Sequence, residues 1–179
     1  MPSAAGLSAL DWVLMKAIIT VGLPACGKST FARGLTGTHA ELNMDDLRFE
    51  VSGDASNQDV THLAFGRRRR KLAAIAREGR DVIISDTHAK RRDRRRVVRE
   101  LRTLGYEVEI VFFDIGERTC HARNQGRERQ VPAEVITHMA ERLRNTPPTP
   151  HEADAFRVIR EPADPLIVEP PGHHTVAQA

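Results

Sequence analysis

The sequence feature that most constrains the fold is the glycine-bounded segment GLPACGKST at residues 22–30. It matches the pattern G-x-x-x-x-G-K-S/T and directly follows a short β-branched run at residues 17–21. Between a strand and a helix, such a loop turns consecutive backbone N–H groups toward phosphate oxygens, and the helix N-terminus adds positive potential. The segment therefore predicts a nucleoside triphosphate site, with a strand before it and a helix over about residues 28–35 after it.

The residue types of this loop suit phosphate chemistry. Glycine permits backbone conformations and close approach that a side chain would block. Lys28 places a cation between the terminal phosphates, and the hydroxyl of Ser29 is a ligand that Mg²⁺ accepts. We therefore expect ATP and Mg²⁺ as cofactors. The predicted nucleotide-binding residues of the loop are Gly22, Pro24, Ala25, Cys26, Gly27, Lys28, Ser29 and Thr30.

The rest of the chain alternates short apolar runs with longer amphipathic segments. The runs at 39–44, 81–85, 108–113 and 156–160 are typical of strands, and the segments at 59–78, 91–104, 117–125 and 132–145 are typical of helices. This alternation predicts an α/β fold of the P-loop NTPase type, with a parallel sheet and helices on both faces. We expect a P-loop domain over residues 15–161, an N-terminal extension over 1–14 and a Pro/Gly-rich flexible tail over 162–179.

Length and composition exclude several classes of protein. The 179 residues, 40% of them apolar, are enough for one hydrophobic core. No apolar run reaches the roughly 18 residues that a membrane helix requires, and no basic segment precedes the first apolar stretch as in a signal peptide. Cys26 and Cys120 form no disulfide framework, and the eight histidines show no zinc-ligand spacing. We therefore expect a cytoplasmic protein without a membrane partner.

The net charge of +3 hides an uneven distribution along the chain. Residues 67–102 contain fifteen Lys or Arg and five Asp or Glu, a net charge of +10. This concentration predicts an anionic partner, although two solvated helix faces are the alternative. The aromatic content of 4% argues against an extensive base-stacking platform and favours contact mainly with phosphates. The arginines predicted to contact a nucleic acid backbone are Arg68, Arg69, Arg95 and Arg96.

Two acidic clusters follow predicted strands. Asp45 lies in NMDDLR at residues 43–48, and Asp86 ends the run VIISD. Residues just past parallel strands converge on one crevice, where a carboxylate can accept the proton of an attacking hydroxyl or hold Mg²⁺. Arg48 can position an anionic group in the same crevice. Helix capping by Asp45, Asp46 or Asp86 is the alternative, and the two roles can coexist.

An arginine-dense segment, RNQGRERQVP at residues 123–132, joins two predicted helices. Such a segment can close over a nucleotide and bring an arginine to the charge that develops on a transferred phosphoryl group. Solvated loop arginines are the alternative.

In this order, the segments resemble the 5′-polynucleotide kinase family, which includes the kinase domain of phage T4-type polynucleotide kinase/phosphatase. The resemblance covers about residues 16–143 and depends on IITVGLPACGKST, NMDDLR, VIISDT and RNQGR. It implies that Asp45 is the general base on a 5′-hydroxyl and that Arg48 holds both this carboxylate and an acceptor phosphate. It also implies that Asp86 and Thr87 order the acceptor site and that Arg127, with Arg123 nearby, belongs to a helical arginine lid over ATP.

The sequence departs from the family pattern at two positions and in the length of one segment. Ala25 replaces a frequent glycine, and His88 replaces a usual asparagine. The arginine segment is slightly shorter than in the T4-type enzyme, so Arg123 or Arg129 can share the role of Arg127. No D-x-D-G-T phosphatase element is present in the chain. The resemblance therefore implies a kinase that acts on 5′-hydroxyl ends of DNA or RNA, with a separate phosphatase and ligase completing repair.

Two other functions fit the same motifs. A P-loop kinase of a sugar acid, nucleoside or antibiotic would share Lys28, Asp45 and the lid but has no need of the basic segment. A nucleic-acid-binding NTPase would use the basic segment without phosphorylating an acceptor. The sequence leaves the oligomeric state and the choice between DNA and RNA open.

Overall fold

A computed structural model describes residues 14–160 of the chain. The predicted tail and, apart from Leu14, the predicted N-terminal extension lie outside the described residues, so the division of the chain stays a prediction. The strands are β1 (Met15–Val21), β2 (His39–Leu42), β3 (Asp81–Ile84), β4 (Tyr106–Asp114) and β5 (Ala155–Arg160). The helices are α1 (Lys28–Arg33), α2 (Met44–Ser52), α3 (Thr61–Arg77), α4 (Arg91–Thr103), α5 (Glu117–Gln125) and α6 (Ala133–Asn145), and a 3₁₀ turn spans Pro150–Glu152.

The five strands form one parallel sheet in the order β2-β3-β1-β4-β5. The connection from β1 to β2 runs in one direction across the sheet, whereas those from β2 to β3 and from β3 to β4 run in the other. Because such crossovers are right-handed, α1 lies on one face and α3 and α4 lie on the opposite face. The prediction of a P-loop NTPase-type parallel sheet is confirmed.

The centre of the sheet forms the core because its strands are apolar on both faces. Val82, Ile83 and Ile84 of β3 are completely buried, as are Ala17 and Ile19 of β1. Continuous apolar runs of this kind are typical of parallel strands covered on both sides by helices. In the part of the chain that is described, no helix is long and apolar enough to cross a membrane.

Two elements differ from the prediction. The predicted strand over residues 39–44 ends at Leu42, and α2 begins at Met44. Asn43 caps this helix, since its side-chain oxygen accepts a hydrogen bond from the Asp46 N–H at 2.8 Å. Helix α1 ends at Arg33 with Gly34 as its C-cap, two residues before the predicted end of the helix at about residue 35.

A buried ion pair ties α4 to the chain that follows α6. The side chains of Arg94 and Glu152 are 0% and 2% exposed, and Nε and Nη2 of Arg94 donate to the two carboxylate oxygens at 2.7 and 3.0 Å. Nη1 donates to the carbonyls of His88 and Ala89, and Nη2 also donates to the carbonyl of Thr146. All five guanidinium N–H groups are therefore hydrogen-bonded, which compensates for the burial of the charge.

Candidate active site

The loop between β1 and α1 requires glycine at its first position. Gly22 has φ 155°, and a Cβ added there would lie 2.8 Å from Cys26 Sγ and 2.9 Å from Phe113 Cβ. Gly27, with φ 107°, is the N-cap of α1. Ala25 adopts φ 62°, in the left-handed region that favours glycine, so its backbone carries strain at a position where the resemblance predicts glycine.

Lys28 is the buried cation of this loop. It is 7% exposed, and its ammonium group donates to the carbonyls of Gly22 at 3.1 Å and Leu23 at 2.6 Å, with Cys26 Sγ at 3.5 Å. Within residues 14–160, none of these partners is a carboxylate, so the positive charge is held by dipoles and lacks an anionic partner. A loop with such a cation and with glycine at its points of close approach fits the phosphates of a nucleoside triphosphate.

The hydroxyl residues of the motif lie in the first turn of α1. Ser29 and Thr30 are both exposed, and Thr30 Oγ1 accepts a hydrogen bond from Arg33 at 3.4 Å. Ser29 is therefore accessible at the position where the motif would hold Mg²⁺. Pro24 and Cys26 are buried in the loop and support its backbone.

The loop after β3 connects the phosphate loop to α2. The N–H of Gly22 donates to the carbonyl of Thr87 at 3.1 Å, and the hydroxyl of Thr20 donates to the carbonyl of Asp86 at 3.0 Å. The carboxylate of Asp86 accepts the N–H of Met44 at 2.8 Å. Asp86 therefore caps α2, the helix that carries the NMDDLR segment, rather than α4, the helix that follows it in sequence.

Asp45 lies one residue further along, in the first turn of α2. Its carboxylate accepts a hydrogen bond from Arg48 Nη1 at 2.7 Å, and its side chain remains 59% exposed. Arg48 is only 12% exposed, and its Nε also donates to the hydroxyl of Thr61 at 3.3 Å. Asp46 instead pairs with the Asn43 amide at 2.7 Å. The carboxylate of Asp45 is thus oriented by a nearly buried arginine and is open to an incoming group.

The arginine segment between α5 and α6 reaches this carboxylate. Nη1 of Arg129 lies 3.3 Å from Asp45 Oδ2, although the two residues are 84 positions apart in the sequence. Arg127 and Arg123 are exposed, and the role of Arg127 as the lid arginine stays a prediction. The density of arginines singled out this segment in the sequence, but only the fold shows that Arg129 is the one that contacts Asp45.

His88 is a buried residue of the same loop that sequence reasoning left without a role. Its backbone has φ 41°, and its Nδ1 lies 2.9 Å from the carbonyl of Thr20 at the end of β1. Burial lowers the pKa of this imidazole below its usual value, and the nearby Asp86 carboxylate opposes the effect less strongly. The neutral ring therefore donates from Nδ1 to Thr20 and ties the loop after β3 to β1.

Most basic residues of the segment at 67–102 lie on the exposed sides of α3 and α4, but Arg68 and Arg94 are buried, which corrects the prediction that Arg68 contacts nucleic acid. Arg68 is 4% exposed and pairs with Glu100 of α4 at 2.9 Å, so its side chain is unavailable to a nucleic acid phosphate in this structure. Packing of α3 against α4 accounts for this burial. Arg69, Arg95 and Arg96 are exposed, and their contact with nucleic acid stays a prediction.

The sequence model of the AAA domain family matches residues 18–146, which is most of the chain. The chain belongs to this family. No protein with curated annotation matches the sequence significantly.

Solved structures share the fold at low sequence identity. A chain of the Pnkp1/Rnl/Hen1 RNA repair complex superposes with a TM-score of 0.66 at 24% identity, covering 74% of this chain and 45% of that one. The chain therefore spans less than half the length of that protein. Kti12 of Chaetomium thermophilum, in complex with ADP-AlF3, superposes at 0.61 with 16% identity, covering 83% and 91% of the two chains. A sugar kinase from Janibacter sp. HTCC2649 superposes at 0.55 with 20% identity, covering 82% and 85%. The fold is thus a P-loop fold that includes kinases.

Proposed function

We propose that the chain transfers the γ-phosphoryl group of ATP to the 5′-hydroxyl end of DNA or RNA. The observation that carries the proposal is the Asp45 carboxylate, which is held by Arg48 in the first turn of α2 and remains largely exposed. Asp86 anchors this turn through Met44 N, and the residue after Asp86 is hydrogen-bonded to Gly22. A proton acceptor is therefore fixed beside the loop that would hold the phosphates.

The chemistry follows from these positions. The acceptor oxygen forms a bond to the γ-phosphorus, the bond from that phosphorus to the bridging oxygen of ADP breaks, and the acceptor proton moves to Asp45. Lys28 and the N–H groups of the loop would bind the phosphates, and Ser29 would hold Mg²⁺, which neutralises phosphate charge when bound. Arg129 contacts Oδ2 of Asp45 while Arg48 contacts Oδ1, so Arg129 is the arginine of its segment that would stabilise charge on the transferred phosphoryl group.

Two observations favour a nucleic acid acceptor. The exposed sides of α3 and α4 carry arginines whose charge exceeds that of their acidic neighbours, which suits a phosphate backbone. The fold is also shared with a chain of the Pnkp1/Rnl/Hen1 RNA repair complex. Under this proposal, a separate phosphatase and a ligase are the partners that complete the repair of an end.

A small-molecule kinase is the second candidate. The observation that favours it is the mutual coverage of 82% and 85% with the Janibacter sugar kinase, which is close to this chain in length. That function would use Asp45 and Lys28, but a small acceptor would not need to bind the arginines of α3 and α4. An NTPase with no acceptor is a third candidate, because the Kti12 structure contains ADP-AlF3 on the same fold.

One assay separates the three candidates. The full chain is incubated with γ-labelled ATP and Mg²⁺, with 5′-hydroxyl oligonucleotides of DNA and RNA, their 5′-phosphorylated counterparts, or sugars and nucleosides. We expect label on the 5′-hydroxyl oligonucleotides alone. Label on a sugar or nucleoside would establish the small-molecule kinase instead, and release of free phosphate without any labelled acceptor would establish the NTPase.

A further inference from the structure

A basic groove runs between α3 and α4. One part of it, a cavity of about 520 Å³, is lined by Lys90, Arg92, Asp93, Arg96 and Arg99, so four cations face one carboxylate. The adjoining part, of about 340 Å³, lies between Arg96 and Glu100 of α4 and residues 62, 65, 66, 68 and 69 of α3, and the Glu100 carboxylate is paired with Arg68. The first part lies along α4 and its N-cap Lys90, the second lies between the two helices, and the two parts meet at the side chain of Arg96.

An aromatic ring lies on the wall of the second part. Phe65 is 39% exposed, and the guanidinium groups of Arg68 and Arg96 lie over its ring, 5.2 and 5.8 Å from the centroid. Exposed phenylalanine among arginines is a combination that binds the bases and phosphates of a single strand, since bases stack on aromatic rings and guanidinium planes. A surface that served only to solvate α3 would not need the ring.

Gly66, next to this ring, has no explanation in the packing of the protein. It lies in the interior of the 17-residue helix α3, where glycine is unfavourable relative to alanine. A Cβ added to Gly66 would meet no heavy atom within 4 Å, and its backbone is not in the left-handed region. The missing side chain therefore leaves open space in the groove, beside Phe65 and opposite Arg96.

The groove adjoins the candidate active site at two points. Arg48, which holds Asp45, donates to the hydroxyl of Thr61 at 3.3 Å, and Phe65 lies about 6 Å further along the axis of the same helix. The other end begins at Lys90, in the loop that contains Asp86 and Thr87. A strand whose 5′ end lies at Asp45 can therefore continue directly into the groove.

We propose that this groove binds the single-stranded part of the acceptor that follows its 5′ end. One base occupies the space over Gly66 and stacks on Phe65, and the backbone phosphates contact Arg69, Arg96 and the row formed by Lys90, Arg92 and Arg99. The inference rests on the proposed polynucleotide kinase function and adds a preference for single strands over duplexes, because a paired base cannot stack on the ring. The low aromatic content is compatible with one such contact.

The test compares two groove variants of the full chain with two matched controls. Phe65→Leu removes the aromatic face but keeps an apolar side chain, and Phe49→Leu makes the same change at an exposed phenylalanine of α2. Gly66→Ala fills the groove, and Gly37→Ala adds the same methyl group at another glycine with open space around it. Binding is measured by fluorescence anisotropy with a labelled 5′-hydroxyl single strand of about 12 nucleotides and with the matching duplex.

We expect Phe65→Leu to weaken single-strand binding by about fivefold or more and to affect the duplex little. Gly66→Ala should also weaken binding while raising the melting temperature by about 3 °C, because alanine stabilises a helix interior. Opposite effects on affinity and stability distinguish a filled binding site from a damaged fold. Neither control should change the affinity.

The outcomes separate the groove from the catalytic proposal, because kinase activity is measured in parallel. Unchanged single-strand affinity in both groove variants, equal losses for single strand and duplex, or no binding by the wild-type chain would overturn the groove assignment. If the wild-type chain transfers label to oligonucleotides in that case, the proposed function stands. If it labels no oligonucleotide, the proposed function is wrong, whatever the groove variants bind.

Discussion

At the scale of single residues, Asp45 is the side chain whose loss should matter most for phosphoryl transfer. Asp45→Asn keeps the shape of the side chain and removes its ability to take a proton. We expect kcat to fall by about 100-fold or more while ATP binding persists, because loss of a general base usually costs that much. Single-turnover transfer from γ-labelled ATP and calorimetry with ATP give the two values. Asp46→Asn, at the neighbouring position, is the control, and equal losses in both variants would remove Asp45 from the role of base.

Single substitutions can show whether Arg129 or Arg127, both in the segment between α5 and α6, contributes more to kcat. Arg129 contacts Asp45 at 3.3 Å, so we expect Arg129→Gln to lower kcat by about 100-fold, as the loss of one charged donor at a reaction centre does. Arg127→Gln should have a smaller effect. The assay is the same transfer reaction at saturating ATP, and the reverse ranking would assign the lid role to Arg127.

His88 predicts how the stability of the fold depends on pH. Burial lowers its pKa, so the folded state keeps the ring neutral, whereas the unfolded chain takes up a proton below its ordinary pKa of 6.5. The stability is therefore fully present above that pH and decreases as the pH falls toward the lowered pKa, by at most about 1.4 kcal/mol per pH unit.

The measurement is urea denaturation across this pH range. His88→Asn should show a shallower loss of stability toward acid, while His138→Asn, at an exposed histidine of α6, should follow the wild type. A His88→Asn slope equal to the wild-type slope would show that other groups cause the acid sensitivity.

Individual residues were predictable from the sequence only where their neighbours in space are also neighbours in sequence. The phosphate loop is such a case, because nine consecutive positions specify its conformation. The contact of Arg129 with Asp45 spans 84 positions, and the pair of Arg68 with Glu100 spans 32. No local pattern distinguishes Arg68 from the exposed arginines beside it, so its burial became visible only when α3 and α4 were packed together.

At the scale of elements, the Arg94–Glu152 pair holds α4 against the chain after α6. Glu152→Ala leaves a buried guanidinium group without its carboxylate, and we expect the free energy of unfolding to fall by about 3 kcal/mol or more. Asp154→Ala removes the partner of Arg102, whose side chain is 46% exposed, but also the acceptor of the Val108 N–H, so a smaller loss of about 1 kcal/mol is expected. Chemical denaturation measures both, and equal losses would contradict the special role of the buried pair.

The sequence predicted helices and strands well where a pattern of buried apolar residues determines the local conformation. Strands β1, β3 and β4 contain the apolar runs at residues 17–19, 82–84 and 110–113, and their prediction needed no knowledge of their neighbours. Helix α2 has no comparable apolar stripe, since Met44 and Leu47 are its only buried residues. Its start depends on Asn43 and on the distant carboxylate of Asp86, and for that reason the strand predicted from the sequence alone ended two residues too late, at residue 44.

At the scale of the whole molecule, the arginines of α3 and α4 predict how binding responds to salt. Each cation that contacts a phosphate of a single strand contributes about 0.7 to the slope of log affinity against log salt. Replacing Arg69, Arg95 and Arg96 together with Gln should therefore reduce the slope by about two. Arg102→Gln, at an arginine already paired with Asp154, is the control. An unchanged slope in the triple variant would show that these arginines are solvated and do not contact the phosphates of the nucleic acid.

The strand order also determines when the nucleotide site can form during synthesis. The phosphate loop is near the start of the chain, but β1 lies between β3 and β4, with Ala17 opposite Val82 and Ile19 opposite Ile110. A nascent chain that ends before β4 leaves one edge of β1 without a hydrogen-bonded neighbour, and such edges are prone to wrong pairing. The motif is synthesised before β3 and β4, yet it becomes a rigid phosphate cradle only after these strands on both sides of β1 have been made.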